Sequence, residues 1–419
     1  MTVGIEALNV FGGTACLDVT ELARHRRLDS TRFANLMMAQ KTVALPSEDA
    51  ISYAVNAAQP VIDTLSAARK ARIELLITCS ESGIDFGKSM STYIHHYLGL
   101  SRNCRLFEIK QACYSGTAGL QMAAGFILSG ASPGALALVI ATDISRYSVA
   151  AGSDVLTQDW SFAEPSSGAG AVAMLVSAQP AVFELDVGAS GYYGYEVMDT
   201  CRPNPDSEAG NADLSLLSYL DCCENAFAEY RKRVSSVDYR RTFQHLAFHT
   251  PFGGMVKGAH RTMMRKVAGA QASEIDEDFT RRVLPGLTYC RRVGNIMGGT
   301  LYMALAAIID ASTADGPARV GCFSYGSGCC SEFFSGVIPH AAAQRQRQFA
   351  IDRGLNARHR LSIPEYEQLL RAGEAVRFGT RNVTLESLPR PTHGIVPERG
   401  KRLYLRRIED FHREYAWAA

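Results

Sequence analysis

Gln111-Ala112-Cys113-Tyr114-Ser115-Gly116-Thr117-Ala118-Gly119-Leu120 is the stretch that decides the fold of this chain. An apolar-alternating run, 105–110, precedes it, and a small-residue helical pattern, 115–129, follows it. The spacing predicts a strand-to-helix turn with Cys113 at the helix N-terminus. Unpaired N–H groups and the helix dipole favour a thiolate there. That is a way to make a sulfur nucleophile without a metal. A buried core cysteine is the competing reading. The small residues around Cys113, and the partners named below, favour the nucleophile.

Working outward, β-rich runs at 73–78, 105–110, 136–142, 169–176, 246–248 and 319–323 alternate with helical patterns such as 115–129 and 298–311. Short apolar strands buried on both faces, with helices between them, predict an α/β fold of layered helices and sheets. The chain also repeats weakly. One offset, 182 residues, separates Cys113 from Asn295 and Gly116 from Gly298, and each pair heads a small-residue helix followed by an apolar strand. The repeat predicts two similar halves, with Cys113 and Asn295 at matching helix N-termini facing each other across a pseudo-dyad. The halves are expected at 1–178 and 179–419, the second carrying an extension from about residue 339. Ser362 with Glu365 predicts a capped helix in that extension. Leu403-Tyr404-Leu405 predicts a strand, and a charged helix is expected to close the chain.

With 419 residues and 47% hydrophobic content, the chain can bury a large core. A net charge of +1 gives no reason to expect nucleic acid. With no run of 18 apolar residues and no basic-then-apolar opening, no membrane association is expected and the expected location is the cytoplasm. Eleven cysteines without C-x-x-C or zinc-type spacing are expected to be reduced thiols, with no metal bound.

Three further segments carry chemistry. Glu81 follows the apolar run 73–78 and precedes Gly83; partly desolvated, it could act as a base near neutral pH, whereas a solvated loop acid is the plainer alternative. His249 follows the run 246–248, and histidine suits proton donation near neutrality, although a lone histidine is more often structural. Asn295 could donate to a carbonyl oxygen. Tyr325-Gly326-Ser327-Gly328 could present a backbone N–H to an oxyanion or could be a plain tight turn. A papain-like cysteine protease is rejected because Cys113 lacks the Cys-Gly-Ser-Cys-Trp context. A G-x-S-x-G hydrolase is rejected because the glycine after Ser327-Gly328 is missing.

Together these segments resemble the 3-hydroxy-3-methylglutaryl-CoA synthase family of the thiolase superfamily, nearly end to end. Gly4-Ile5-Glu6-Ala7-Leu8, Ser80-Glu81-Ser82, Ala112-Cys113-Tyr114 with Gly116-Thr117-Ala118, Asp143-Ile144 and Pro165-Ser166 follow its pattern in order. So do Phe248-His249 with Pro251, Gly294-Asn295, Ser324-Tyr325-Gly326-Ser327-Gly328, and Tyr404-Leu405 with His412-Arg413 and Tyr415. The resemblance implies a thiolase-like five-layered αβαβα fold with two pseudo-symmetric halves, and a homodimer. It implies that Cys113 takes an acetyl group as a thioester, that Glu81 removes a methyl proton and helps the later hydrolysis, and that His249 assists protonation at a ketone oxygen. Asn295 would hold the second substrate, and the Cys113 and Ser327 N–H groups would form an oxyanion hole, with Tyr325 and Gly326 beside it.

CoA-using members carry a Lys-Leu-Val-Gln-Lys-like run after the histidine, where this chain reads Gly254-Met255-Val256-Lys257-Gly258. Gln111 and Ser115 also replace the usual asparagine and glycine. These departures resemble the synthases of polyketide β-branching cassettes, which take acyl groups from acyl carrier proteins. The expectation is therefore an acyltransferase that moves acetyl from a donor carrier protein through Cys113 to the β-ketone of a polyketide on an acceptor carrier protein. No cofactor is expected on the enzyme; the phosphopantetheine arm comes with the carrier. Arg24, Arg26, Arg27 and Arg32, with Lys257, are the expected docking residues, and a solvated helix face is the alternative. The competing functions are a mevalonate-type synthase using acetyl-CoA and acetoacetyl-CoA, and an inactive docking partner.

Overall fold

Alternation within the apolar strands separates the molecule into layers. In the strand Ile73–Cys79, the side chains of Leu75, Ile77 and Cys79 join one core cluster and that of Leu76 joins another on the opposite face. The computed structural model describes residues 2–145, 163–204, 207–312, 316–385 and 402–418. Nine strands form its main sheet: β1 (Gly4–Phe11), β2 (Ile73–Cys79), β3 (Arg105–Ile109), β4 (Leu136–Ile144), β5 (Ala169–Ser177), β6 (Phe183–Gly194), β7 (His245–Phe248), β8 (Ala318–Gly326) and β9 (Cys330–Ile338), in the order β7-β8-β9-β6-β1-β5-β4-β2-β3.

That order carries the duplication. From β2 inward, the pairings run parallel to β4, then antiparallel to β5 and to β1. From β7 inward, they run parallel to β8, then antiparallel to β9 and to β6. The two series meet where β1 and β6 pair through Gly4 with Glu184 and Ile5 with Phe183. β3 extends one series alone, parallel to β2.

The helices that matter here are α1 (Val19–Arg26), α2 (Ala50–Asp63), α3 (Ser115–Leu128), α4 (Ala212–Arg233), α5 (Gly253–Lys266), α6 (Thr300–Ala311) and α7 (Ile363–Gly373). α3 and α6 lie in the central layer, sharing one cluster with inward residues of both strand series. α2 covers the outer face of the β4–β5 side. α4 and α5 cover the outer face of the β7–β8 side, around Phe248, Phe323 and Phe333. These are the five layers, α/β/α/β/α, and the six strand runs expected from the sequence all form. The helix starts face each other as the 182-residue offset predicts. A Cβ on Gly116 would lie 2.2 Å from the Gly298 carbonyl oxygen, and one on Gly298 would lie 2.5 Å from Ser115 Oγ. Only glycine permits that approach.

In the extension, Ser362 caps α7 as expected, and its N–H donates to Glu365 Oε2 at 2.7 Å. The closing charged helix is corrected: the chain ends in a hairpin of β10 (Arg402–Glu409) and β11 (His412–Ala418). Leu403, Leu405 and Ile408 bury one face of β10. Asp410 and Phe411 turn the hairpin with φ of 45° and 67°, as such tight turns require.

Candidate active site

The end of β4 shapes the loop after β2. Asp143 Oδ1 accepts from Ser80 Oγ (3.1 Å), the Glu81 N–H (2.8 Å), the Ser82 N–H (3.0 Å) and Ser82 Oγ (2.9 Å). This clamp fixes the Glu81 backbone. Its side chain meets the nucleophile candidate: Cys113 Sγ donates to Glu81 Oε1 at 3.3 Å. The other carboxylate oxygen, Oε2, lies 3.4 Å from Arg202 Nε, on a two-stranded ribbon of Thr200–Asn204 and Ser207–Gly210.

Cys113 sits in a tight turn between β3 and α3. Ala112 before it has φ +43°, a strained value for alanine of the kind found at functional turns. Tyr114 after it is tied down, its hydroxyl donating to Glu332 Oε2 at 2.7 Å. Gln121 and Ser190 donate to the other Glu332 oxygen. The tip of the β8–β9 hairpin presses on the same turn, since a Cβ on Gly326 would lie 2.6 Å from both Gln111 O and Tyr114 N. From the other half, Met297 Sδ approaches Cys113 Sγ at 3.9 Å. Asn295 Oδ1 accepts from the Met297 N–H and Thr300 Oγ1, so its amide NH2 is the group left to donate to a ligand.

His249 follows β7, whose register pairs Phe248 with Phe323 and so brings His249 level with Ser324. Ser324 Oγ in turn accepts from Thr117 Oγ1 of α3 at 2.8 Å. The His249 N–H donates to Phe323 O, and its carbonyl accepts from Tyr219 at 2.6 Å. The ring is buried and Nδ1 has no protein partner among the described residues. Burial pushes its pKa down to about 3. His249 therefore stands as a neutral imidazole that can offer a hydrogen bond, not as a cationic acid.

The electrostatics also correct the thiolate expected at the helix N-terminus. Burial, and then the Glu81 charge and hydrogen bond, push the Cys113 thiol well above its ordinary range. Burial raises Glu81, with Arg202 pulling it back. Asp143 is pushed up to about 7 by burial and by Glu81. The resting pair is thus a thiol donating to a carboxylate.

The docking candidates separate. Arg24 and Arg27 are exposed at the end of α1. Arg26 faces inward, forming a bidentate pair with the buried Glu164 and a contact with Glu367 at 2.6 Å. Lys41 and Tyr366 complete that cluster around Glu164. Lys257 pairs with Asp276 at 3.0 Å. The Arg32 side chain lies outside the described residues. Ser327 and Gly326 lie at the hairpin tip, and the Tyr325 hydroxyl donates to buried Asp199 at 2.6 Å. Sequence reasoning missed the parts played by Arg202, Asp199 and Glu332. No helix among the described residues is long and apolar enough to cross a membrane, and none of their His, Cys, Asp and Glu side chains group as a metal site.

Residues 1–181 match the family described as hydroxymethylglutaryl-coenzyme A synthase N terminal, and residues 262–417 match its C-terminal counterpart. The chain is 64% identical to the polyketide biosynthesis 3-hydroxy-3-methylglutaryl-ACP synthase PksG of Bacillus subtilis (strain 168), with 100% of this chain and 99% of that protein covered. Its fold matches the curacin biosynthetic pathway HMG synthase in complex with holo donor-ACP, with TM-score 0.95, 63% identity and full coverage of both chains. MvaS in complex with 3-hydroxy-3-methylglutaryl coenzyme A is more distant, with TM-score 0.84 and 30% identity over 100% of this chain and 99% of that one. Geometry and comparisons agree that the chain belongs to the hydroxymethylglutaryl-CoA synthase family.

Proposed function

We propose that the protein adds a carboxymethyl branch to the β-ketone of a polyketide, using acetyl from a donor acyl carrier protein. The contact between Cys113 and Glu81 carries this reading, because one carboxylate then serves both the sulfur and the group bound to it. Glu81 accepts the thiol proton as sulfur attacks the acetyl thioester. The tetrahedral oxyanion is held by the Cys113 and Ser327 N–H groups, and the departing pantetheine thiolate takes the proton from Glu81. Glu81, again a carboxylate, removes a methyl proton from acetyl-Cys113. The resulting carbon attacks the ketone of the acceptor-bound chain. Neutral His249 and the Asn295 amide donate hydrogen bonds to the developing alkoxide, which takes up the methyl proton held by Glu81 and so returns Glu81 to its carboxylate. Water then cleaves the thioester and frees Cys113. The likeness to PksG and to a synthase solved with holo donor-ACP supports carrier proteins as substrates, with phosphopantetheine arriving on them.

For docking an acidic carrier, Arg24 and Arg27 are joined by α5, where Lys257, Arg261 and Arg265 recur every fourth residue on one exposed face. α5 packs against the chain just after α1, its Gly254 N–H donating to Leu36 O. Positive charge on both elements favours encounter with an acidic partner. The enzyme is read as a cytoplasmic homodimer whose halves divide at 178/179. β3 is the terminal strand of the sheet, and a second copy would pair with its open edge across a twofold axis.

The test supplies acetyl-carrier and β-ketoacyl-carrier proteins and weighs the acceptor. Gain of the mass of one acetic acid is expected. Equal turnover of acetyl-CoA with acetoacetyl-CoA would favour the mevalonate-type reading, and no turnover of either pair would favour a docking-only protein.

A further inference from the structure

Cys222 and Cys329 hold their sulfurs 3.4 Å apart. They belong to different elements: Cys222 projects from α4, and Cys329 lies in the β8–β9 hairpin two residues after Ser327. Neither has a part in the chemistry above. The hairpin tip is held from several sides. The Cys329 N–H and carbonyl bond Tyr195, and the Gly328 N–H donates to Asp199 Oδ1 at 2.9 Å. On its inner side Gly326 presses on the Cys113 turn. The tip therefore stands between the outer helix and the nucleophile.

We infer that Cys222 and Cys329 form a site of oxidative modification, a disulfide made at the expense of a hydroperoxide, that draws the hairpin tip away from Cys113 and turns the enzyme off. Cys222 is fully buried whereas Cys329 keeps 7% exposure, so the oxidant meets Cys329 first. The peroxide O–O bond breaks, Cys329 becomes a sulfenic acid, and an alcohol or water leaves. Cys222 sulfur then attacks Cys329 sulfur and the S–OH bond breaks. The Cys222 proton leaves with that hydroxyl as water, and one S–S bond remains. Two electrons have passed from the thiols to the peroxide. A disulfide bond spans about 2.05 Å, so the sulfurs must close by about 1.3 Å. A shift of about 1 Å in an oxyanion site costs about a hundredfold in rate. This rests on Ser327 serving the oxyanion, as proposed above.

The test has a chemical arm and a kinetic arm. The Cys113→Ala protein treated with hydrogen peroxide should lose the mass of two hydrogens and yield a tryptic peptide joining Cys222 to Cys329. Adding Cys222→Ala should abolish both changes. Wild type oxidised with Cys113 shielded as its acetyl thioester, then freed of peroxide, should turn over about a hundredfold more slowly and recover with dithiothreitol, while Cys222→Ala keeps its rate. Absence of the joined peptide overturns the site. A joined peptide with unchanged turnover overturns its control of the enzyme. Untreated wild type that fails to turn over would contradict the catalytic reading instead, and the joined peptide still decides this one.

Discussion

Glu81→Gln should make Cys113 more reactive toward an alkylating agent while stopping condensation. The carboxylate and sulfur are 3.3 Å apart. At an effective dielectric of about 20, a full charge at that distance opposes the thiolate by about 5 kcal/mol. Arg202 beside the other oxygen offsets part of this, leaving about 3 to 4 kcal/mol. Removing the charge therefore lowers the thiol pKa. Thiolate fraction at pH 8 rises tenfold per unit, while intrinsic nucleophilicity falls by about half as much on a logarithmic scale. The net gain in iodoacetamide alkylation is about 10- to 30-fold. Condensation should fall about 10²- to 10⁴-fold, the usual contribution of a general base. The assay follows alkylation by intact mass against pH, with Cys113→Ala as the blank. Alkylation that is unchanged or slower in Glu81→Gln would refute a thiol held down by this carboxylate.

Arg202→Gln should move the acidic limb of the kcat/KM profile to higher pH, because the guanidinium holds Glu81 down against burial; an unmoved limb would remove Arg202 from the site's charge balance. Gly116→Ala forces a Cβ to 2.2 Å from a backbone oxygen, so the urea midpoint should fall by the equivalent of about 1 to 3 kcal/mol, and no change would mean that α3 and α6 do not meet there. His249 refuses a proton until about pH 3, whereas the unfolded ring binds one below 6.5. In that window the unfolded chain carries the extra proton, so stability falls as pH drops, by about 1.4 kcal/mol per unit. His249→Gln should narrow the stability gap between pH 7 and pH 4.5 by about 3 kcal/mol, and an equal gap in both proteins would contradict a buried neutral ring.

Much of this site was legible because its main groups stand at strand ends. Glu81, Cys113 and His249 each follow an apolar run, and the 182-residue offset anticipated the meeting of Gly116 with Gly298. What sequence hid is tertiary. Arg202 reaches Glu81 from a ribbon that no apolar periodicity marks. Asp199 and Glu332 act by gathering donors from distant elements. The thiolate expectation followed from helix position alone and failed because the sulfur is buried and a carboxylate 32 residues away folds against it. Arg26 looked like surface charge until Glu164 was placed beneath it. The 403–405 strand forms as expected; the terminal helix failed because the charged segment after it continues that strand and turns back as its hairpin partner, burying Ile408 and Tyr415.

The most direct measurement is intact mass of the enzyme after brief exposure to acetyl-loaded carrier protein and, separately, to acetyl-CoA. One acetyl mass on wild type from the carrier, located at Cys113 and missing in Cys113→Ala, is the predicted result. No acetyl on wild type, or acetyl retained when Cys113 is alanine, would contradict it.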